Sequence, residues 1–287
     1  MADDRAAQPR HPRQFIWRRR HRRTVRHRSR RGGVSDGRPV IKAITFDFWN
    51  TLYTAAAYAH PLRRRFLRAL LHKQGIDLDE ERLDTAEAIA RDEWNRIWRD
   101  EYRTPGAAEW VRLMLDELGV RLPPADFDAL ALYYDRSLLE ADPGPRLIDG
   151  ARETIGRLAK TYRLGIISDA ALSSGRTLRE FLIRDQIIDF FACLTFSDEL
   201  GVSKPHVRAF LSTLDCLGVR PDEAVHVGDL TRSDIAGAKA AGMRAVRMAA
   251  HYDDANRSVA PDAVVYSYAE LEAWLAAARA RGARDRE

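Results

Sequence analysis

Cysteine is nearly absent. The chain has two, Cys193 and Cys216, in 287 residues, with no CxxC motif and no paired Cys/His spacing. That scarcity argues against a disulfide framework and against a structural zinc site, and it makes a reducing cytoplasm the expected setting. Long apolar runs are also missing. No uninterrupted stretch approaches the roughly 18 residues that a membrane helix needs, so no membrane partner is expected. Gly (17) and Pro (12) are ordinary in number, which excludes collagen-like or thoroughly low-complexity chain. What remains is 45% hydrophobic and 31% charged, enough to bury a core as one large domain or two smaller ones.

The net charge of +5 is misleading until it is split. Residues 1–40 carry 13 Arg against 3 Asp, and the rest carries 34 basic against 39 acidic residues. The basicity therefore belongs to the leading segment. Between Arg10 and Arg31 there is little apolar content beyond Phe15, Ile16 and Trp17. Burial there cannot offset the entropy of ordering, so residues 1–40 read as a disordered Arg-rich tail. Such a run can dock on nucleic acid through Arg–phosphate contacts, but a solvated extension is the plainer reading, and nucleic acid is not expected as a partner. The paired arginines lack the apolar segment that an export signal requires.

From Lys42 the pattern changes. The segment KAITFDFW reads as a short buried strand ending in an acid. Apolar strands at Tyr162–Ser168, Phe190–Phe196, Ala224–Asp229, Arg244–Met248 and Ala263–Tyr266 then alternate with amphipathic helices. That alternation implies an α/β fold, a Rossmann-like parallel sheet with helices on both faces. One region departs from it. From about Pro61 to Glu140 there are helical periods and no strand. The apolar stripes are Phe66, Leu67, Leu70 and Leu71; then Ile89, Trp94, Ile97 and Trp98; then Trp110, Leu113, Met114 and Leu118. The expected organisation is a core of residues 41–56 and 146–287 with an inserted α-helical cap domain over 57–145. The insertion falls after strand one, over the sheet edge where ligands of open parallel sheets bind.

Acids and their partners gather at that edge. Strand one ends in Asp47, strand two in Ser168 and the Ala224 strand in Asp229, while Lys204 follows the Phe190 strand and Asp234 begins the next helix. Carboxylates facing one crevice repel each other unless a cation sits among them. Few, hard oxygen ligands suit Mg²⁺, which keeps several waters and takes substrate phosphate as well. A lysine and a serine supply donors for phosphate oxygens. An aspartate so placed can also be a nucleophile that forms an aspartyl phosphate.

With these residues the chain resembles the haloacid dehalogenase (HAD) superfamily, in its branch with a helical cap (subfamily I). The resemblance covers roughly Lys42 to Met248. The family's first motif, DxDxT after a strand, is met by Asp47-Phe48-Trp49-Asn50-Thr51. Its second is Ile166-Ile167-Ser168-Asp169, its third Ser203-Lys204-Pro205, and its fourth runs from Gly228-Asp229 through Asp234 to Ala238. The resemblance implies Asp47 as nucleophile, Ser168 and Lys204 as catalytic partners, and Ser168, Asp169, Lys204 and Thr51 at the phosphate. It implies Mg²⁺ held by Asp47, Asp229, Asp234 and the main-chain carbonyl of Trp49. The substrate would be a small phosphorylated molecule over which the cap closes.

Trp49 departs from the pattern. In the family that place holds an aspartate that acts as general acid and base, and tryptophan cannot exchange a proton there. Losing such a group costs about 10²–10⁴-fold in rate. The leading expectation is still a Mg²⁺-dependent phosphohydrolase, slow or acting on a substrate with a good leaving group. A binder without turnover is a second reading. A 2-haloacid dehalogenase is a third, because those enzymes resemble this chain in carrying an aromatic here, yet they lack the paired acids of motif four. A phosphonoacetaldehyde hydrolase, which uses a cap lysine, is the fourth; the lysine available is Lys73, and nothing marks it as reactive.

Plainer roles are expected elsewhere. Asp169 also suits a cap for the following turn, and Asp198 and Glu199 suit solvated loop acids. His226, inside a strand, reads as a satisfied core histidine. Trp94, Trp98 and Trp110 read as cap core, and Trp49 as an apolar plug against the cap.

Overall fold

Strand β1 (Ala43–Phe46) is buried along its whole length and forms the middle of the sheet. It is followed by helices α1 (His60–Lys73), α2 (Glu80–Asp100), α3 (Ala107–Leu118) and α4 (Pro124–Arg136), then by α5 (Ala151–Leu158) and β2 (Arg163–Ser168). Next come α6 (Gly175–Arg184), β3 (Phe191–Phe196), α7 (Ser197–Leu200), α8 (Val207–Leu217) and β4 (Ala224–Gly228). A π-helical turn (Thr231–Ile235) leads into α9 (Ala236–Ala240), and β5 (Arg244–Met248), β6 (Ala263–Val265) and α10 (Tyr268–Arg284) close the chain. The computed structural model describes residues 39–54 and 59–284, which lie in one unit, Asp36–Glu287. The expectation of a disordered tail over 1–40 therefore falls almost entirely outside the described residues.

Among the described residues six strands run in the order β3-β2-β1-β4-β5-β6, and each of these pairings is parallel. Parallel strands need a crossover between them, and here the crossovers from β1 through β5 carry helices that cover the sheet faces, while β5 reaches β6 through a helix-free loop. One apolar cluster joins Ile44 and Phe46 to Ile155, Phe181 and Leu271 of α5, α6 and α10. A second, on α8 and α9, joins Ala43 to Phe210, Leu214 and Ala238. Chain order along the sheet reverses at β1, so the crevice beyond the carboxyl ends of β1 and β4 is the topological switch point.

The helices between β1 and β2 hold their own apolar cluster, centred on Leu67, Leu83, Val111, Met114 and Leu130. Truncating a fully buried leucine such as Leu67 to alanine costs about 2–5 kcal/mol, so this layer has a core independent of the sheet. Asp79 caps α2 by accepting from the Arg82 N–H at 2.8 Å. The stripe expected on α2 is offset, however. Ile89 is 43% exposed, while Leu83, Ala86, Ala90 and Ile97 are buried. Buried Glu87 shares that face, paired with Arg64 and His60, and a polar group in the seam is what the hydrophobic pattern could not show.

A second correction concerns cysteine. Cys193 of β3 and Cys216 of α8 form a disulfide, with their Cα atoms 6.2 Å apart, where the scarcity of cysteine argues against a disulfide framework. Helix α8 packs on β2 and β3, so two cysteines 23 residues apart meet across the layer without any motif in the sequence.

Candidate active site

Asp47 is the first residue past β1. Its N–H donates to the Val227 carbonyl of β4 at 2.8 Å, which fixes it beside the end of that strand. Two residues after Val227 the chain reaches Asp229, and the π-helical turn brings Asp234 back beneath it. Gly228 permits that return, since a Cβ there would lie 2.4 Å from the Asp234 Cγ. One carboxylate oxygen from each of Asp47, Asp229 and Asp234 lies within 4.8 Å of the others, and all three residues are buried.

Lys204, 2% exposed, reaches this group from the loop after α7. Its Nζ donates to Asp47 Oδ1 at 2.5 Å and to Asp234 Oδ1 at 2.6 Å. Burial alone would drive the ammonium to shed its proton, but Asp234, Asp47 and Asp169 hold its pKa above the usual lysine range. Asp234 also takes hydrogen bonds at its other oxygen, from the Leu230 N–H at 3.0 Å. Burial opposes its charge, yet Lys204 and His226 hold its carboxyl below the ordinary carboxylate range. Asp47 and Asp229 go the other way. Burial, helped by Asp234, pushes Asp47 up to about 7 although Lys204 opposes the shift. Burial, followed by Asp47 and Asp234, pushes Asp229 up to about 8. Two acids that resist ionisation beside each other are a place where a hard cation fits.

Asn50 and His226 complete the cluster. Asn50 has φ 54°, a left-handed conformation that asparagine tolerates, and its Nδ2 donates to Asp229 Oδ2 at 3.0 Å. His226 lies 3.1 Å from Asp234 Oδ1 through Nε2 and 2.9 Å from Thr45 Oγ1 through Nδ1. Burial holds its pKa below the usual value, so the ring is neutral. An ionised Asp234 can only accept, which puts the proton on Nε2 and makes Nδ1 the acceptor for the Thr45 hydroxyl. His226 is thus satisfied, as expected of a core histidine, but its partner is a site acid.

A cavity of about 140 Å³ opens over these groups. Asp47, Asp229, Asp234, Lys204 and Asp169 line it, together with Trp49, Trp94, Trp98 and Asn50. Of the residues expected at the phosphate, Ser168 and Thr51 do not line it. Ser168 ends β2, 2% exposed, with its hydroxyl toward the Asp169 carbonyl at 3.4 Å. Thr51 is fully buried, its hydroxyl has no hydrogen-bond partner among the described residues, and its carbonyl accepts from the Tyr268 hydroxyl at 2.7 Å. Trp49 packs edge-on against Phe48 and Phe181, at 4.9 and 6.4 Å between ring centres, and lines the cavity together with Trp94 and Trp98 of α2.

Asp169 is not a turn cap. Its Oδ1 accepts from the Lys204 N–H at 2.9 Å, and its Oδ2 accepts from the Trp98 indole N–H at 2.8 Å. Trp94 and Trp98 therefore face the cavity, and Trp110 alone of the three joins the helical layer's cluster. Asp198 and Glu199 are also engaged: Asp198 accepts from the Gly175 N–H at 3.1 Å, and Glu199 pairs with Arg179. No sequence signal marks the Trp98–Asp169 bond, which spans 71 residues.

Comparisons with known proteins give the family and the fold. A family profile described as haloacid dehalogenase-like hydrolase matches residues 41–242. A glyceraldehyde 3-phosphate phosphatase from Methanopyrus kandleri is 31% identical over 215 residues, 73% of this chain and 84% of the relative. Among solved structures, a 2-haloacid dehalogenase from Pseudomonas syringae superposes with a TM-score of 0.62 at 27% identity, over 83% of this chain and 99% of that one. A HAD phosphatase from Thermococcus onnurineus does so at 0.57 and 26%, over 82% and 98%.

Proposed function

The chain belongs to the haloacid dehalogenase-like hydrolases, and on that premise we propose that it hydrolyses a small phosphorylated metabolite through an aspartyl phosphate at Asp47, with Mg²⁺ as cofactor. The observation that carries the reading is the Lys204 ammonium 2.5 Å from Asp47 inside a buried group of three acids.

The residues fit the metal. Asp47, Asp229 and the Trp49 carbonyl are hard oxygen donors that would hold Mg²⁺, and the raised carboxyls of Asp47 and Asp229 would ionise beside it. Asp234, already committed to Lys204 and His226, would support the site through those contacts. Bound there, the cation would shield the phosphate's charge from the attacking carboxylate.

An Asp47 oxygen bonds to phosphorus as the bond from phosphorus to the leaving oxygen breaks. Lys204 donates to a phosphate oxygen, and Asp169, which lines the cavity beside it, holds the Lys204 N–H. The leaving oxygen then needs a proton that Trp49 cannot give. The substrate class is accordingly one whose leaving group is stable as an anion, such as an acyl phosphate, or one that supplies its own proton. Water then attacks the aspartyl phosphate, releasing phosphate and restoring the Asp47 carboxylate.

Trp49 also favours a second reading, hydrolysis of a 2-haloacid, since halide leaves without a proton. The buried acids Asp229 and Asp234 favour phosphate. The two readings separate in one experiment: turnover of phosphorylated metabolites with Mg²⁺ and with EDTA, beside Asp47→Asn, and chloride release from 2-chloropropionate in EDTA. Phosphate release lost in EDTA and in the variant supports the phosphatase. Chloride release in EDTA supports the dehalogenase and sinks the first reading.

A further inference from the structure

The segment just after α2 hydrogen-bonds to the sheet edge around the cavity. The Tyr102 carbonyl accepts from the Ser203 N–H at 2.7 Å, and the Ser197 hydroxyl donates to Thr104 Oγ1 at 2.8 Å. Trp98, near the end of α2, lines the cavity. Its indole N–H meets Asp169 at 2.8 Å, and the guanidinium of Arg232, from the π-helical turn after β4, lies 4.1 Å over its ring. One Arg232 nitrogen, Nη2, is buried without a hydrogen-bond partner among the described residues, and the stacked ring is what the guanidinium rests on. One side chain of the inserted helices is thus gripped by two loops of the sheet edge, those after β2 and β4.

The grip continues into the lysine. Asp169 has two oxygens and gives one to each neighbour, Oδ2 to Trp98 and Oδ1 to the Lys204 N–H. Charge-assisted bonds to a single carboxylate fix both donors relative to each other. Lys204 then places its ammonium between Asp47 and Asp234. A shift of Trp98 moves Asp169, and a shift of Asp169 moves the backbone on which the ammonium is hung.

We propose that Trp98 is a positioning residue for the reaction, setting the Lys204 ammonium through Asp169, so that the phosphate site is complete only when α2 is seated. The proposal rests on the phosphatase reading for its kinetic arm and on the Trp98–Asp169–Lys204 geometry alone for its binding arm.

The test is a double-mutant cycle in the full chain. Trp98→Phe keeps a ring for Arg232 and removes the indole N–H, and Asp169→Asn weakens the same link from its other side. Each should lower kcat for p-nitrophenyl phosphate about tenfold with KM changed less, and the double variant should fall no further than the lower single one. Trp98→Tyr, which keeps a ring and a donor, should retain more activity than Trp98→Phe. Tungstate, a phosphate mimic that needs no turnover, should bind Trp98→Phe about tenfold more weakly in calorimetry. Additive losses, or a Trp98→Phe protein that binds tungstate and turns over like wild type, overturn the proposal. If Trp98→Phe does not fold, Asp169→Asn decides: unchanged tungstate affinity overturns it. Wild-type protein that binds tungstate yet hydrolyses no phosphate ester overturns the phosphatase reading and leaves the tungstate arm to judge Trp98. Protein that does neither overturns both.

Discussion

The Lys204 ammonium lies 2.5 Å from Asp47 and 2.6 Å from Asp234, with all three side chains less than a tenth exposed. A buried ion pair is weak evidence of stability, but removing one partner strands the other's charge. Lys204→Met should therefore destabilise the metal-free protein by about 3–5 kcal/mol in urea unfolding. Mg²⁺ should return part of that loss, because Asp47 and Asp229 gain a cation in place of the ammonium. A variant as stable as wild type without metal would contradict the pairing.

Trp49 occupies the place where a proton donor is expected, within the cavity wall and against Phe48 and Phe181. Trp49→Asp should raise turnover of an alkyl phosphate, whose leaving oxygen needs a proton, by up to about 10²-fold. The gain for p-nitrophenyl phosphate should be smaller, because that leaving group departs as an anion. Trp49→Asn serves as the control for lost packing. Equal gains on both substrates, or none in correctly folded protein, would show that the missing acid is not the handicap.

The pH dependence of stability follows from the acids. Asp229 is raised from 3.8 to about 8 and Asp47 to about 7. Between pH 4 and pH 8 the folded state therefore holds protons that the unfolded chain has released. Stability from these groups is complete below the unfolded value and is lost as pH rises through the folded one. His226, lowered by burial, adds the opposite slope below its ordinary value of 6.5. The clean window is thus above pH 6.5. In EDTA, melting temperature should fall from pH 6.5 to 8.5 more steeply in wild type than in Asp229→Asn, and Mg²⁺ should flatten the wild-type curve. Parallel curves would remove the account.

Much of this was legible before any coordinates. An acid ending an apolar strand is costly unless it is used, and that alone singles out Asp47 and Asp229. The order of strands and the helical block after β1 then place Lys204 and Asp234 at the same edge. What stayed hidden depends on which way side chains point across the layers. Trp98 reads as one more member of a helical stripe, and only the seating of α2 on the sheet edge turns its N–H toward Asp169. His226 reads as core because it is core; that its ring touches Asp234 follows from the π-helical turn, which no local pattern announces. Cys193 and Cys216 meet for the same reason, across β3 and α8.

Asn50 combines two roles that substitution can separate. Its φ of 54° lies in the left-handed region, and its side chain donates to Asp229. Asn50→Gly accepts the backbone conformation and loses the hydrogen bond. Asn50→Ala loses the bond and also meets the left-handed cost of about 1–2 kcal/mol. Alanine should therefore be the less stable of the two by about that amount. The loss at the metal should be common to both. Without its amide donor Asp229 is freer to turn from the crevice, so both variants should need more Mg²⁺ for half-maximal activity, and to the same degree. Urea unfolding measures the first difference and a Mg²⁺ titration of turnover the second. Equal stabilities would show that the conformation at residue 50 costs alanine nothing. Unequal Mg²⁺ requirements would show that the backbone of the loop after β1, rather than the Asn50 amide, is what holds Asp229 in place.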